Sequence, residues 1–270
     1  MVPELTYSEH RLPPDLAPWV ACFWRIRGVV DAGPPYRHRV LPDGCADLLF
    51  DLESVRGPGA SRAVLIGPMS QASLYEMTGS VDLLGVRLRP GAVHAFTGIR
   101  ANRVLDDAAP QTELPAPLRP SVAALSEETD SAAVARLLEA CRTRIADLDS
   151  PDSLVSHALA RWSRAEQGMP AVSVLARDVG ISERGFERRF VAQVGLTPVR
   201  YRRLARLRAV LRLHAGGLRD WSELAAATGF SDQSHLVRDC RAFTGLTPTD
   251  WAASQHAAVG FVQDGQITAL

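Results

Sequence analysis

The stretch GISERGFERRFVAQVGLTP (180–198) returns further along as GFSDQSHLVRDCRAFTGLTP (229–248). Just ahead of the quoted residues the copies share Ser173/Ser222, Leu175/Leu224 and Ala176/Ala225, and within them Gly180/Gly229 and Ser182/Ser231. After a one-residue insertion in the second copy they share Arg188/Arg238 and Gly-Leu-Thr-Pro at 195–198 and 245–248. Two copies are too few for a solenoid, which needs at least about three stacked units to bury a core. The repeat therefore marks one task performed twice.

Each copy reads as helix, tight turn, helix. In AVSVLARDVG (171–180), Val172, Leu175, Ala176 and Val179 fall on one helical face, and Gly180 suits the left-handed position that ends a helix. Ser182 can then cap a second helix whose buried face is Phe186, Phe190 and Val194. In the second copy Asp220 with Glu223 offers a capping box, Leu224, Ala225 and Thr228 lie on one side, Gly229 turns, and DQSHLVRDCRAFTG (232–245) forms the second helix. This is the helix-turn-helix arrangement. Upstream, SPDSLVSHALARWSRAEQG (150–168) reads as one helix with Asp152 as cap and Gly168 as stop; Thr247-Pro248 opens a short last helix carrying Trp251.

Between the copies, Thr197-Pro198 pairs a cap with the proline preference for the first helical position. The helix it opens has a stripe of Tyr201, Leu204, Leu207 and Leu211, with Arg200, Arg202, Arg203, Arg206 and Arg208 on its other faces. Eighteen residues from Thr197 to His214 span about 27 Å. Such a connector sets two second helices near one turn of B-DNA apart, about 34 Å, on the same side of the duplex.

The two motifs, together with SERGFERRF, GLTPVRYRRLARLRAV, LAAATGFSDQSHL and RAFTGLTP, resemble the double helix-turn-helix domain of AraC/XylS-type bacterial transcription regulators over about 171–252. One departure is Cys240, where that family usually has Phe, which implies looser packing of the second reader helix. The resemblance places base-contacting positions on the outer faces of the two reader helices. On the first these are Arg184, Glu187 and Arg188; on the second they are Ser234, Val237 and Arg238, with Gln233 and His235 near the helix start. Arg suits guanine, Glu cytosine, Gln adenine, and Val meets only a thymine methyl. Arg189, Arg200, Arg202 and Arg203 read as phosphate contacts, which position a protein without reading sequence.

From Ser182 to Arg212 there are nine Arg against two Glu. A charge run by itself reads as a solvated helix face, and Arg188 and Arg238 could equally pair with neighbouring carboxylates. His235 alone could be a cap or a surface residue. The repeat tips the reading toward DNA. The whole chain has zero net charge, yet cutting at residue 150 leaves 15 Arg against 19 Asp and Glu in front and 15 Arg against 11 behind. A basic module follows an acidic one. Fourteen prolines lie up to Pro120 and four beyond it, and proline breaks helix interiors, so strands and loops are expected in front and helices behind.

The front half alternates. In LPDGCADLLFDL (41–52) a Pro-Asp-Gly turn leads into Ala46, Leu48, Phe50 and Leu52 on one face, with Cys45, Asp47, Leu49 and Asp51 on the other. In LLGVRLRPG (83–91), Leu84, Val86 and Leu88 alternate with Gly85, Arg87 and Arg89. Such strands suggest a sandwich or barrel. From Leu118 the pattern becomes helical, with Val134, Leu137, Leu138 and Ile145 at helix spacing. This half resembles the cupin-like sensor domain of many AraC-type regulators, closest to a subgroup sharing VLPDGCADLLF and GVRLRPGA.

The expected fold is thus multidomain α and β: a β-rich cupin-like barrel with trailing helices, then an all-α domain with two helix-turn-helix units joined by a long helix. The expected boundaries are 1–112 for the regulatory domain, 113–150 for helices that link and dimerise, 151–256 for the DNA-binding domain and 257–270 for a tail. The resemblance implies a transcription regulator, activator or repressor, whose partner is double-stranded DNA in two adjacent major grooves. RNA polymerase, a small-molecule effector and a second copy of the chain are further implied partners. No cofactor, metal or catalytic residue is expected, and the chain is read as a non-enzyme.

The alternative is a cupin that processes a small molecule or binds a metal and carries a DNA-binding module. Metal-dependent cupins need clustered His and Glu ligands, whereas His10, His38 and His94 are isolated, though ligands can assemble from distant strands. Cys45, with Asp43 and His38 nearby, reads either as a reactive thiol or as a small buried hydrophobe. A methyl-accepting repair protein would need a zinc-held cysteine cluster, which Cys22 and Cys45 alone do not supply. The cysteines, which also include Cys141 and Cys240, lack C-x-x-C spacing and suit a reducing cytoplasm. Without a leader-like start or about 18 consecutive apolar residues, the reading is a soluble cytoplasmic protein with no membrane partner.

Overall fold

The computed structural model describes residues 4–10, 12–53, 62–163 and 168–257. All of the expected tail, 257–270, except Ala257, and residues 164–167 of the helix expected to run to Gly168, lie outside the described residues. The front half contains eight strands among the described residues: β1 (Glu4–His10), β2 (Val20–Val30), β3 (Tyr36–Val40), β4 (Ala46–Asp51), β5 (Arg62–Ile66), β6 (Ser73–Met77), β7 (Gly79–Leu88) and β8 (Ala108–Pro110). Six of them form an antiparallel sheet in the order β1-β2-β7-β4-β5-β8, and β3 pairs with β6 in a second sheet. The register sets Leu48 opposite Val86 and Phe50 opposite Leu84. Alternation therefore delivers one apolar face to a common side.

That face is covered by the helices that follow the strands, α1 (Val93–Thr97), α2 (Val122–Glu127) and α3 (Asp130–Ile145). Phe23, Leu48, Phe50, Leu84, Val86 and Leu88 of the sheet share one buried core with Phe96, Leu125, Val134, Leu137 and Cys141 of the helices. The apolar stripe of α3 is thus used within the domain, while Ala132, Ala135, Arg136 and Glu139 remain exposed on it. A buried Arg25, 2% exposed, fixes this docking: it donates to Asp82 at 2.8 and 2.9 Å and to Asp130, at the start of α3, at 2.8 Å.

The opposite face of the large sheet looks across a cavity at the β3–β6 pair, and the two sheets form the halves of an open, cupin-like barrel. Asp47 and Leu49 of β4 and Arg87 of β7 line this cavity, as the period-two reading of those strands requires. Trp24 also lines it and lies over Gly85 of the neighbouring strand; a Cβ there would overlap the indole.

The back half is helical: α4 (Ser153–Ser163), α5 (Val172–Asp178), α6 (Glu183–Val194), α7 (Pro198–Ala215), α8 (Trp221–Ala227), α9 (Gln233–Thr244) and α10 (Pro248–Ala257). One core joins Leu154, Trp162, Phe186, Phe190, Leu204 and Leu207 with Leu224, Leu236, Phe243 and Trp251. At its centre Trp162 meets the rings of Phe190 at 5.6 Å and Tyr201 at 5.9 Å. No helix among the described residues is long and apolar enough to cross a membrane.

Gly85→Ala will force Trp24 off the β7 surface and break its hydrogen bond to Asp47, lowering stability by about 1–3 kcal/mol, the usual cost of overpacking. Near-ultraviolet circular dichroism and the thermal midpoint measure both effects; an unchanged indole signal would contradict the packing described.

Candidate nucleic-acid interface

The two helix-turn-helix units are α5–α6 and α8–α9, and their turns are built by the same bonds. Gly180 (φ 71°) donates its N–H to Arg177 and Ile181 donates to Ala176; Gly229 (φ 77°) donates to Ala226 and Phe230 to Ala225. A residue with a Cβ is strained at such φ values, which explains glycine at this point in both copies. The reader helices start differently. Ser182 accepts from the Gly185 amide, whereas in the second copy the cap is Asp232, accepting from the His235 amide at 2.7 Å. The inserted residue has moved the cap one position along. Both readers end on a left-turning glycine, Gly195 and Gly245, followed by Thr caps for α7 and α10.

The reader helices bury one face and show the other. Phe186, Phe190 and Val194 of α6, and Leu236, Cys240 and Phe243 of α9, are within 1% of complete burial. Cys240 is as buried as Phe190, its equivalent in the first copy. On the outer face of α6, Arg184, Glu187 and Arg188 are exposed and form no side-chain hydrogen bond or ion pair among the described residues. Their spacing of three and four residues places them on one strip. The strip on α9 consists of Ser234 and Arg238, both exposed, with Val237 half-buried between them. Gln233 accepts from Ser222 at 3.2 Å, and His235 is drawn inward, edge-on to Phe230 and 3.2 Å from Ser231 Oγ.

The four arginines read as phosphate contacts occupy different settings. Arg202 is half-buried on α7 and makes no ion pair among the described residues. Arg189 donates to Asp152, the residue that caps α4, at 2.5 Å. Arg203 donates to Asp239 of α9 at 2.7 Å and stacks over Phe243. Arg200 stacks over the same ring and donates to the Ser70 carbonyl at 2.8 Å.

Asp239 was not singled out from sequence, yet its carboxylate is 1% exposed and faces Arg203, Arg206 at 3.7 Å and His235 at 3.9 Å. It occupies the repeat position of Arg189. In each copy an ion pair at this position docks the reader onto the helix behind it, with the signs reversed. The available signal was an acid facing a base at matched repeat positions.

A second feature invisible in the sequence is the joint between the halves. Arg208 of α7 donates to the Asp43 carbonyl at 3.1 Å, and the Tyr201 ring lies against Gly44. Arg39 of β3 donates to the Thr244 carbonyl and Ala72 to the Phe243 carbonyl at the end of α9. The turn 41–45, which lines the cavity, therefore rests on the helix joining the readers. In this turn Cys45 is half-buried and lines the cavity; desolvation, then the Asp43 charge, raise its thiol well above the usual value, which makes it a poor nucleophile.

The arrangement is that of a paired helix-turn-helix DNA-binding module, and residues 175–254 match the model of a helix-turn-helix domain. The module is of the AraC type, and the chain is a DNA-binding transcription regulator. Residues 8–110 match a domain of unknown function, DUF6597. Among solved structures the chain is similar to a transcriptional regulator with an AraC-type DNA-binding domain from Chromobacterium violaceum (25% identity, 40% of this chain and 95% of that one, TM-score 0.37). It is also similar to the DNA-binding domain of the global transcriptional factor AdpA in complex with a target DNA (24% identity, 39% and 96%, TM-score 0.37). ToxT from Vibrio cholerae is similar at 10% identity over 95% of this chain and 99% of that one (TM-score 0.42). No curated protein matches the sequence.

Replacing Arg203 and Arg206 together by Met will leave Asp239 as a buried charge without its arginines, a change that costs about 3–5 kcal/mol. Adding Asp239→Asn to that pair should restore much of the loss. Urea unfolding of the three chains tests this; equal midpoints would show that the carboxylate is not an anchor.

Proposed function

We propose that the protein is a sequence-specific regulator that lays α6 and α9 in two adjacent major grooves of one duplex. Two matched, outward strips on helices held by a single connector carry this reading. Arg184 and Arg188 on the first reader and Arg238 on the second have unengaged guanidinium groups, the chemistry that guanine O6 and N7 accept in bidentate fashion. Glu187, Gln233, Ser234 and Val237 complete the two base-reading surfaces, and His235 shapes the start of the second. Arg202, on the flank of α7, contacts phosphate. The 18 residues of α7 span about 27 Å, which together with the helix widths matches the pitch of B-DNA.

The front domain acts as the sensor. A molecule held between its sheets would touch the 41–45 turn, whose Asp43 carbonyl and Gly44 backbone rest on α7, so occupancy of the cavity would bias the connector that sets the spacing of the readers. The support for this is the contact itself, because a ligand can shift an equilibrium only through a group that differs between its states.

Selection of bound fragments from the source genome, followed by footprinting, should yield two protected patches about one helical turn apart. On the selected site Arg188→Ala should cost about 1–3 kcal/mol and relax the preference at one base pair. Arg202→Ala should weaken selected and random duplexes alike and reduce the salt slope by about one. Equal losses on both kinds of DNA for both variants would defeat this division of roles.

A further inference from the structure

The cavity between the sheets specifies what kind of molecule the sensor accepts; this inference rests on the sensor reading above. It encloses about 200 Å³. An apolar cavity of about 150 Å³ holds a benzene ring, so the space suits one ring with a short substituent. Trp24, Leu49, Ile66, Met69 and Tyr75 are among the side chains of its wall, and these surfaces favour an apolar body.

The polar end of the cavity is a cluster of Arg87, Asp43 and Asp47. Arg87 is only 11% exposed, and its Nη2 lies 3.5 Å from Asp47 and 3.6 Å from Asp43. Both separations are long for a charge-assisted bond, which closes to about 2.7–2.9 Å. The carboxylates have other donors: Trp24 Nε1 gives Asp47 a 2.7 Å bond, and the Cys45 amide gives Asp43 a 2.8 Å bond. Arg87 Nε is buried and meets no protein acceptor, and it is the one such side-chain atom among the described residues that line the cavity. The guanidinium that lines the cavity is thus bonded below its donor capacity, and an acceptor oxygen on a ligand would complete it.

Charge narrows the class further. One guanidinium already faces two carboxylates, and Arg208 stands behind Asp43. Burial raises the Asp47 carboxyl above its ordinary value; burial also pushes Asp43 up, but Arg87 and Arg208 outweigh that and hold it low. An anionic ligand would add a third negative group to this cluster. A cationic one would offer Arg87 no acceptor and would set positive charge against the guanidinium.

We propose that the cavity takes an uncharged, ring-sized apolar molecule bearing one carbonyl-type oxygen, which accepts a hydrogen bond from Arg87. Four probes of one shape test this on the full chain by calorimetry without DNA: acetophenone, benzoate, benzylamine and toluene. Acetophenone should bind at least tenfold more tightly than either charged probe. Ile66→Phe, which fills the cavity from the strand position paired with Asp47 and keeps all three side chains of the cluster, should abolish that binding. Arg87→Lys keeps a positive charge beside both carboxylates but withdraws the planar, forked guanidinium; it should weaken acetophenone about tenfold and leave toluene unchanged.

The idea fails if benzoate or benzylamine matches acetophenone, if Ile66→Phe has no effect, if Arg87→Lys treats acetophenone and toluene alike, or if no probe binds. A chain that binds acetophenone but no duplex would sink the regulator reading and leave this one standing. A chain that footprints on DNA but ignores all four probes would do the reverse.

Discussion

The connector helix α7 has to serve three surfaces at once, and the rest of the molecule is arranged around that requirement. Its stripe of Tyr201, Leu204, Leu207, Val210 and Leu211 is buried in the core that both helix-turn-helix units share. Beside the stripe, Arg203 and Arg206 hold the buried carboxylate of Asp239 and so attach the second reader. On a further side Arg200 and Arg208 donate to backbone carbonyls of the β-rich domain. Arginine suits such a helix because its long apolar stem packs while its planar head bonds in several directions. The arginine richness of α7 thus has structural consequences beyond attraction to phosphate.

The two copies of the repeat solve one docking problem by different chemistry. Turn geometry is kept, with glycine in the left-handed region and the same backbone bonds closing each first helix. The anchor is inverted, Arg189 reaching Asp152 in the first copy and Asp239 accepting Arg203 in the second. Because the reader must lie flat on its support while keeping its outer strip clear, the ion pair is retained and its polarity is free to change. The shifted cap at Asp232 belongs to the same pattern: the amides at the start of α9 need an acceptor, and the inserted residue supplies it one position later.

In the β-rich domain both faces of the large sheet are in use. Leu84, Val86 and Leu88 pack on helices, while Gly85 and Arg87 between them face the cavity, where glycine makes room for the Trp24 indole. A single strand therefore contributes to stability through one set of residues and to ligand chemistry through the other. The turn after β3 continues this economy, since its Asp43 side chain belongs to the cavity and its carbonyl to the joint with α7.

The sequence by itself determined the local features. Helix caps, glycine turns, the apolar faces of α6 and α7 and the alternation of β4 and β7 all depend on residues no more than about four apart, so period and residue type disclose them. The repeat added the pairing of readers, and family resemblance added the outer strips. Tertiary structure alone decided which charges meet. Arg208 and Asp43 are separated by 165 positions, Arg25 and Asp130 by 105, and Arg203 and Asp239 by 36. An arginine in a sequence announces its charge but not its partner, because the partner is chosen by where packing brings distant segments together. The same reason hid the cavity, whose walls come from both sheets and whose chemistry rests on one guanidinium lying between two carboxylates from another strand and its preceding turn.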